Sequence, residues 1–345
     1  MNYRTAGVDI DAGELFARMI KERVEKAWPG AGKEIGGFAG GGAIPVGARR
    51  IIGSSDGTGT KAILAAAMGM FDGLGQDAVA MSAVDSYVSG ARPLYLLDVL
   101  DVAHLDPKLH IKIIESIIRG CLLSGCRLIG GETAELPGMF KSGWMVNLNT
   151  SVIAFPDADL AFAPVRPGQL VYGWPSYGPA SNGFSLIRRV FNLGGDYEKP
   201  SKNLRPPWPE LGGISLADAL LRPTPIWIGK IEAQRKRGVK FSGHAHITGG
   251  GLPGNVPRIL PESFKVIIKR DRWARPPIFP LIQKQGQVPA GDMDRTFNQG
   301  IMVVSIVDQN DGLEINNSEA ILIGEVAARE SDEPQVELQG NYRDE

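Results

Sequence analysis

The stretch Ile51-Ile-Gly-Ser-Ser-Asp-Gly-Thr-Gly-Thr-Lys61 carries the densest set of residues able to do chemistry. Two β-branched residues run into three glycines, several hydroxyls, one carboxylate and one lysine, which is what a strand emptying into a polyphosphate site needs. Gly57 and Gly59 let backbone N–H groups approach phosphate oxygens, Thr60 adds a hydroxyl, Asp56 can hold Mg²⁺, and Lys61 can neutralise charge. It is not a Walker A loop, because Thr60 separates Gly59 from Lys61. A polar turn between a strand and a helix accounts for the same residues.

The 44 glycines cluster at 36–42, 53–59, 130–131 and 249–251, which points to several backbone contacts with a charged ligand. Arg127-Leu-Ile-Gly-Gly-Glu-Thr-Ala-Glu135 repeats the theme of apolar strand, paired glycines (Gly130, Gly131) and carboxylate (Glu132). Asp85 stands among Met81, Val84 and Val88, so it either faces solvent or, if buried, needs a cation or a basic side chain. Asp56, Asp85 and Glu132 together make a candidate hard-cation cluster. His244 and His246 precede Thr248, Gly249, Gly250 and Gly251, but no third His or Cys stands nearby to complete a zinc site. His246 reads as a proton carrier or as a core or capping histidine. Cys121 and Cys126 read as core thiols on one helix.

These residues need a scaffold, and the apolar spacing supplies one. Helices are expected over 14–27, over 78–90 with Asp77 as its cap, from Asp106-Pro107 to a stop at Gly125, over 181–190 after a turn, and over 224–237. Strands are expected at 94–101, from 127, and at 145–155, 168–173, 264–269, 301–307 and 320–326. Gly36 to Gly42 reads as a loop able to close over a ligand, 156–167 as a linker, 194–213 as a surface loop, and the chain from Arg329 on as mobile. At 345 residues two domains are the expectation, 1–165 and 166–345. Net charge of −1, from 37 basic and 38 acidic residues, argues against a nucleic-acid surface or a polybasic membrane contact. No apolar run reaches spanning length and the N-terminus lacks a signal-like segment, so a cytoplasmic location is expected.

The chain resembles the phosphoribosylformylglycinamidine cyclo-ligase (aminoimidazole ribonucleotide synthetase) family. The resemblance rests on Ala6-Gly-Val-Asp-Ile-Asp-Ala-Gly13, Asp56-Gly-Thr-Gly-Thr-Lys61, Gly120-Cys-Leu-Leu-Ser-Gly-Cys126, Gly130-Gly-Glu-Thr-Ala-Glu-Leu-Pro-Gly138, Ser181-Asn-Gly-Phe-Ser185, His246-Ile-Thr-Gly-Gly-Gly251 and Arg295-Thr-Phe-Asn298, in that order. It implies a two-domain α/β (α+β) synthetase fold whose N-terminal domains pair into a β-barrel across a homodimer. It also implies ATP-dependent closure of an imidazole ring through phosphorylation of a formyl oxygen, with a small ribonucleotide as substrate. Expected cofactors are ATP and Mg²⁺, with K⁺ as an optional second cation. Asp56, Lys61, Asp85 and His246 would act in catalysis, and Asp56, Asp85 and Glu132 would hold the metal. Lys21, matching a family lysine, would contact the nucleotide, as would Gly57, Gly59, Thr60, Gly130, Gly131, Ser181, Asn182, Thr248, Gly249 and Gly250. Three positions depart from the family pattern: Val84 for Asn, Ala180 for His and Gly254 for Glu. They leave open a related enzyme with another acceptor, or a silent nucleotide-binding paralogue.

Overall fold

The computed structural model describes residues 9–35, 39–193, 200–315 and 318–344. Residues 36–38 of the glycine loop, 194–199 of the expected surface loop and 6–8 of the first motif lie outside the described residues. The first half opens with α1 (Ile10–Ala27), which starts four residues earlier than its apolar stripe suggests because the Asp9 side chain accepts from the Ala12 N–H. Then come β1 (Ile52–Gly57), α2 (Lys61–Met68), α3 (Leu74–Val88), β2 (Ala91–Val102), α4 (Pro107–Ser124), β3 (Arg127–Glu135) and β4 (Val146–Pro156). The strands form a sheet in the order β1-β4-β2-β3. Along β4, buried Val146, Leu148, Thr150, Val152 and Ala154 alternate with less buried residues, so one face packs on α3 and the other stays open.

Of these helices, α4 follows its sequence signals most closely. Asp106 accepts from the N–H groups of Lys108 and Leu109, Pro107 fills the first turn, and Gly125 stops the helix at φ +74°. Cys121 is on α4, whereas Cys126 lies just past the stop; both are buried free thiols. Leu122, next to buried Cys121 on this helix, is exposed. Nearly every residue of α3 is buried, as suits a helix of Ala, Val and Met enclosed on several sides. It begins at Leu74 with Gly73 at the cap position, so Asp77 is not a cap.

The second half holds β5 (Leu170–Pro175), α5 (Phe184–Val190), short helices α6 (Pro200–Leu204) and α7 (Leu216–Leu220), α8 (Ile228–Lys236), β6 (Phe241–His246), α9 (Gly251–Asn255) and β7 (Phe264–Lys269). It continues with β8 (Ala274–Arg275), α10 (Ile278–Gly286), α11 (Ala290–Thr296), β9 (Ile301–Val307), α12 (Gly312–Ile315), β10 (Ile321–Ala328), β11 (Val336–Gln339) and β12 (Arg343–Asp344). Six strands form the main sheet, in the order β11-β7-β10-β5-β9-β6. Every residue of β9 is buried, matching an apolar run whose one polar residue, Ser305, is hydrogen-bonded to Trp174 and His244. The segment after Arg329, expected to be mobile, instead supplies β11, parallel to β7, and β12, parallel to β8. The helix expected from Thr224 starts only at Ile228, because Thr224 is drawn onto Asp77: its N–H and its hydroxyl both donate to Asp77 Oδ1, at 2.8 and 2.6 Å. Among the described residues no helix is long and apolar enough to cross a membrane.

Candidate functional site

One face of α3 meets β6, and there the two halves of the chain share their chemistry. His244 and His246, two apart on the strand, both turn toward the helix. Tyr87 stacks on His244 with ring centroids 5.9 Å apart, and Asp85 Oδ1 lies 2.7 Å from His246 Nδ1. His244 is fully buried, bonded through Nδ1 to Ser305 Oγ at 2.7 Å, and burial holds its pKa well below the ordinary histidine value. It is a core residue. His246 differs: its side chain is 2% exposed and its Nε2 is enclosed without a hydrogen-bond partner. The basic partner that Asp85 was expected to need is therefore His246.

One turn earlier on α3, Met81 Sδ contacts Asn182 Nδ2, and Asn182 Oδ1 accepts from the Gly249 N–H at 3.1 Å. Thr60 Oγ1 lies 3.5 Å from Ser185 Oγ, so the turn after β1 also reaches the 181–185 segment. Ser181 Oγ is enclosed and unpartnered. Behind the 248–251 loop, Asn255 Nδ2 reaches the carbonyls of Thr248, Gly249 and Gly251. Gly251, at φ +59°, passes so close to the Asp294 carbonyl that a Cβ would sit 1.8 Å from its oxygen, so only glycine fits. Residues expected at the site from separate motifs thus touch in pairs, Thr60 with Ser185, Asn182 with Gly249 and Asp85 with His246.

Other expected residues do not converge. Lys61 is sealed inside the protein, with Nζ 2.7 Å from Asp77 Oδ2 and 3.0 Å from the Arg222 carbonyl. Burial pulls the lysine's pKa down and pushes that of Asp77 up, and their mutual attraction opposes both shifts. Its charge is spent on Asp77 and not on a phosphate. The three-carboxylate metal cluster also fails: among the described residues no group of three His, Cys, Asp or Glu could hold a metal ion. Strand register explains why. Asp56 aligns with Thr150, Asp98 and Gly131 in one row across the sheet, whereas Glu132 aligns with Val99, Asn149 and Gly57 in the next. Neighbouring rows point to opposite faces, and β1 and β3 are opposite edges three strand spacings, about 14 Å, apart. Gly130, Gly131 and Glu132 therefore sit away from Asp56, itself exposed and near Gly57 and Gly59. Lys21 is exposed on α1, which packs on α4 and the 31–34 turn.

One acidic residue escaped sequence reasoning. Asp98 reads as an ordinary polar position in a strand, yet it is buried, and burial, with Glu132 nearby, pushes its pKa up to about 7. Only the row Asp56, Thr150, Asp98 reveals it, and that row exists only once the strands pair.

Residues 41–154 match the family described as AIR synthase related protein, N-terminal domain, and residues 166–337 match AIR synthase related protein, C-terminal domain. The chain is 41% identical over 343 residues to a phosphoribosylformylglycinamidine cyclo-ligase of Thermoanaerobacter sp. strain X514, covering 96% of this chain and 98% of that one. The chain belongs to the phosphoribosylformylglycinamidine cyclo-ligase family. A chloroplastic cyclo-ligase of Arabidopsis thaliana is likewise 41% identical over 316 residues, 89% of this chain and 75% of that one. The fold is shared more widely. Escherichia coli HypE superposes with a TM-score of 0.62 at 17% identity over 94% of each chain, and a hydrogenase maturation protein HypE in complex with ATP gives 0.64 at 16% over 93% and 90%.

Within the cyclo-ligase family, the three departures fall in different surroundings. Val84 is 2% exposed and belongs to the apolar core, so it does not flank a metal ligand as expected from its place beside Asp85. Ala180 lies in the 178–183 turn at φ +55°, a conformation histidine and asparagine tolerate better than most side chains. Gly254 is exposed with open space around it.

Proposed function

We infer that the protein closes the imidazole ring of formylglycinamidine ribonucleotide to give aminoimidazole ribonucleotide, using ATP, in purine biosynthesis. The observation that carries the reading is the Asp85–His246 pair, held between the two halves beside the 248–251 loop, in a chain aligned over nearly its whole length with cyclo-ligases. ATP transfers its γ-phosphoryl group to the formyl oxygen, leaving ADP; an amidine nitrogen attacks the activated carbon, inorganic phosphate departs, and a proton is lost from nitrogen. The phosphoryl step turns a poor leaving oxygen into a good one, and the protein's share is positioning and charge neutralisation.

His246 suits the proton step. Its Nδ1 faces a carboxylate that only accepts, so Nδ1 carries the hydrogen and Nε2 offers a lone pair. Asp85 fixes that tautomer and steadies the ring once it is protonated. The backbone N–H of Gly59 and the hydroxyls of Thr60 and Ser181 would cradle the ATP phosphates, a role that the unpartnered Ser181 Oγ fits. Mg²⁺ keeps most of its coordination for phosphate and water, so one exposed carboxylate, Asp56, suffices where the three-acid cluster does not form. Lys61 becomes a structural residue that holds Asp77 and the Arg222 carbonyl.

Two further elements belong to the same reading. The open face of the four-stranded sheet carries exposed Val99, and Ile51 is exposed at the start of β1, which supports pairing of two copies through this sheet. Free thiols at Cys121 and Cys126 fit a reducing, cytoplasmic setting. The decisive experiment is ADP release with and without formylglycinamidine ribonucleotide: strict dependence on the ribonucleotide is expected, and turnover without it, or none with it, overturns the function.

A further inference from the structure

Beyond the Asp85–His246 contact lies a cavity of about 320 Å³ whose walls include Asp85, Ser89, His246, Asn255, Arg258 and Ile259. Two of its lining residues are deeply buried and carry unpartnered polar atoms: Asn255 is 1% exposed with Oδ1 unpaired, and His246 is 5% exposed with Nε2 unpaired. Their hydrogen-bonding sense can be worked out. Asn255 Nδ2 is 3.4, 3.2 and 2.9 Å from the carbonyl oxygens of Thr248, Gly249 and Gly251, three acceptors that fix the amide with its NH₂ toward the loop. Its oxygen is left facing away from them. The Asp85 carboxylate likewise fixes the proton on Nδ1 of His246, so in the neutral ring Nε2 is an acceptor too.

Both open valences therefore accept, and the Asp85 carboxylate, with its side chain 47% exposed, adds a third acceptor. A phosphate or carbonyl would meet the wrong partners there. A group rich in N–H donors, an amidine or amine, would satisfy all three. Arg258, exposed at the rim, is the one lysine or arginine in the lining and suits an anion elsewhere on the same ligand. We propose that this cavity is the subsite for the amidine end of the substrate, with Asn255 Oδ1 and His246 Nε2 accepting from its nitrogens. Asn255 is then a specificity-determining residue that both receives the amidine and holds the 248–251 loop. The proposal rests on the cyclo-ligase reading, in which the amidine is the donor-rich group of the ribonucleotide.

The test uses the whole enzyme and acetamidinium as the probe, with acetate as the acceptor control. Acetamidinium should compete with the ribonucleotide, raising its apparent KM and leaving the KM for ATP unchanged, while acetate at the same concentration does neither. Ser89→Leu, which narrows the cavity from the α3 side, should raise the ribonucleotide KM at least fivefold with the ATP KM unchanged. Competition of acetamidinium with ATP, or equal inhibition by acetate, overturns the assignment. ¹⁵N-histidine NMR without ATP separates this proposal from the function itself. If ribonucleotide-dependent ADP release is absent, the function falls, and movement of the His246 Nε2 resonance with acetamidinium still supports a donor-binding cavity; no movement overturns that as well.

Discussion

Two acids on α3, eight residues apart, meet opposite fates. Asp77 is fully buried and satisfied by Lys61 and Thr224, so it ties α2 and α3 to the second half of the chain. Asp85 has a half-exposed side chain, and its partner His246 keeps one ring nitrogen unpaired. From sequence, the lysine in the glycine-rich motif looked like the reactive cation. The structure shows that a cation whose hydrogen bonds are already filled by its own fold has nothing left for a ligand. The proposed reactivity is assigned to the other acid's partner, His246, because it is buried and left incomplete.

Substitutions on each acid's side can break this contrast. Asp85→Asn and His246→Ala should each lower the rate of ring closure by about 10²–10⁴-fold, the usual worth of positioned proton transfer, with little change in unfolding midpoint. ADP release and urea unfolding on the same preparations measure both. Lys61→Met should do the reverse, costing about 3–5 kcal/mol of stability by leaving Asp77 buried and unpaired, while the folded fraction retains its turnover. If Lys61→Met abolishes turnover in protein that is still fully folded, the sealed pair is catalytic after all.

A third acid sharpens the comparison through pH. The folded state raises the Asp98 pKa to about 7, above its unfolded value, so the native protein loses stability as pH rises from about 4 through 7 and the loss is complete above that. Asp98→Asn escapes this loss. The variant should be more stable than the native protein by about 2–4 kcal/mol at pH 8, with the difference vanishing below about pH 4, as read from urea unfolding across pH. The smallest effect is expected at Ala180, whose φ of +55° is relieved by glycine: Ala180→Gly should stabilise by about 1 kcal/mol in the same assay.

Local signals were the legible ones. Asp106-Pro107 and Gly125 bounded α4 because capping depends on residues within one turn, and the apolar run at 301–307 is a buried strand because burial on both faces needs no alternation. Signals that depend on pairing were not. Asp77 looked like a cap because its partner lies sixteen residues earlier on another helix, with more help from Thr224. Asp56 and Glu132 looked equivalent at two strand ends, but a one-row offset sends them to opposite faces. Val84 looked like a site position because it neighbours Asp85, although one residue is about 100° around a helix and that turn carries it into the core. Of the candidate site, Asn182 and His246 could be picked out from their motifs, although that they touch Gly249 and Asp85 could not, and buried Asp98 gave no signal.

The position of β11 has a consequence for the order in which the protein is made. This strand is four residues long and pairs in parallel with β7 at the edge of the six-stranded sheet. While the chain is being synthesised, β7, complete at Lys269, must wait as an unpaired edge until Val336–Gln339 has been translated and has cleared the ribosome. Through that interval two nascent chains on one message can add strands to each other's sheets. The edge of this sheet stays open until β8 to β10 have been made, and the arrival of β11 is the event that completes it.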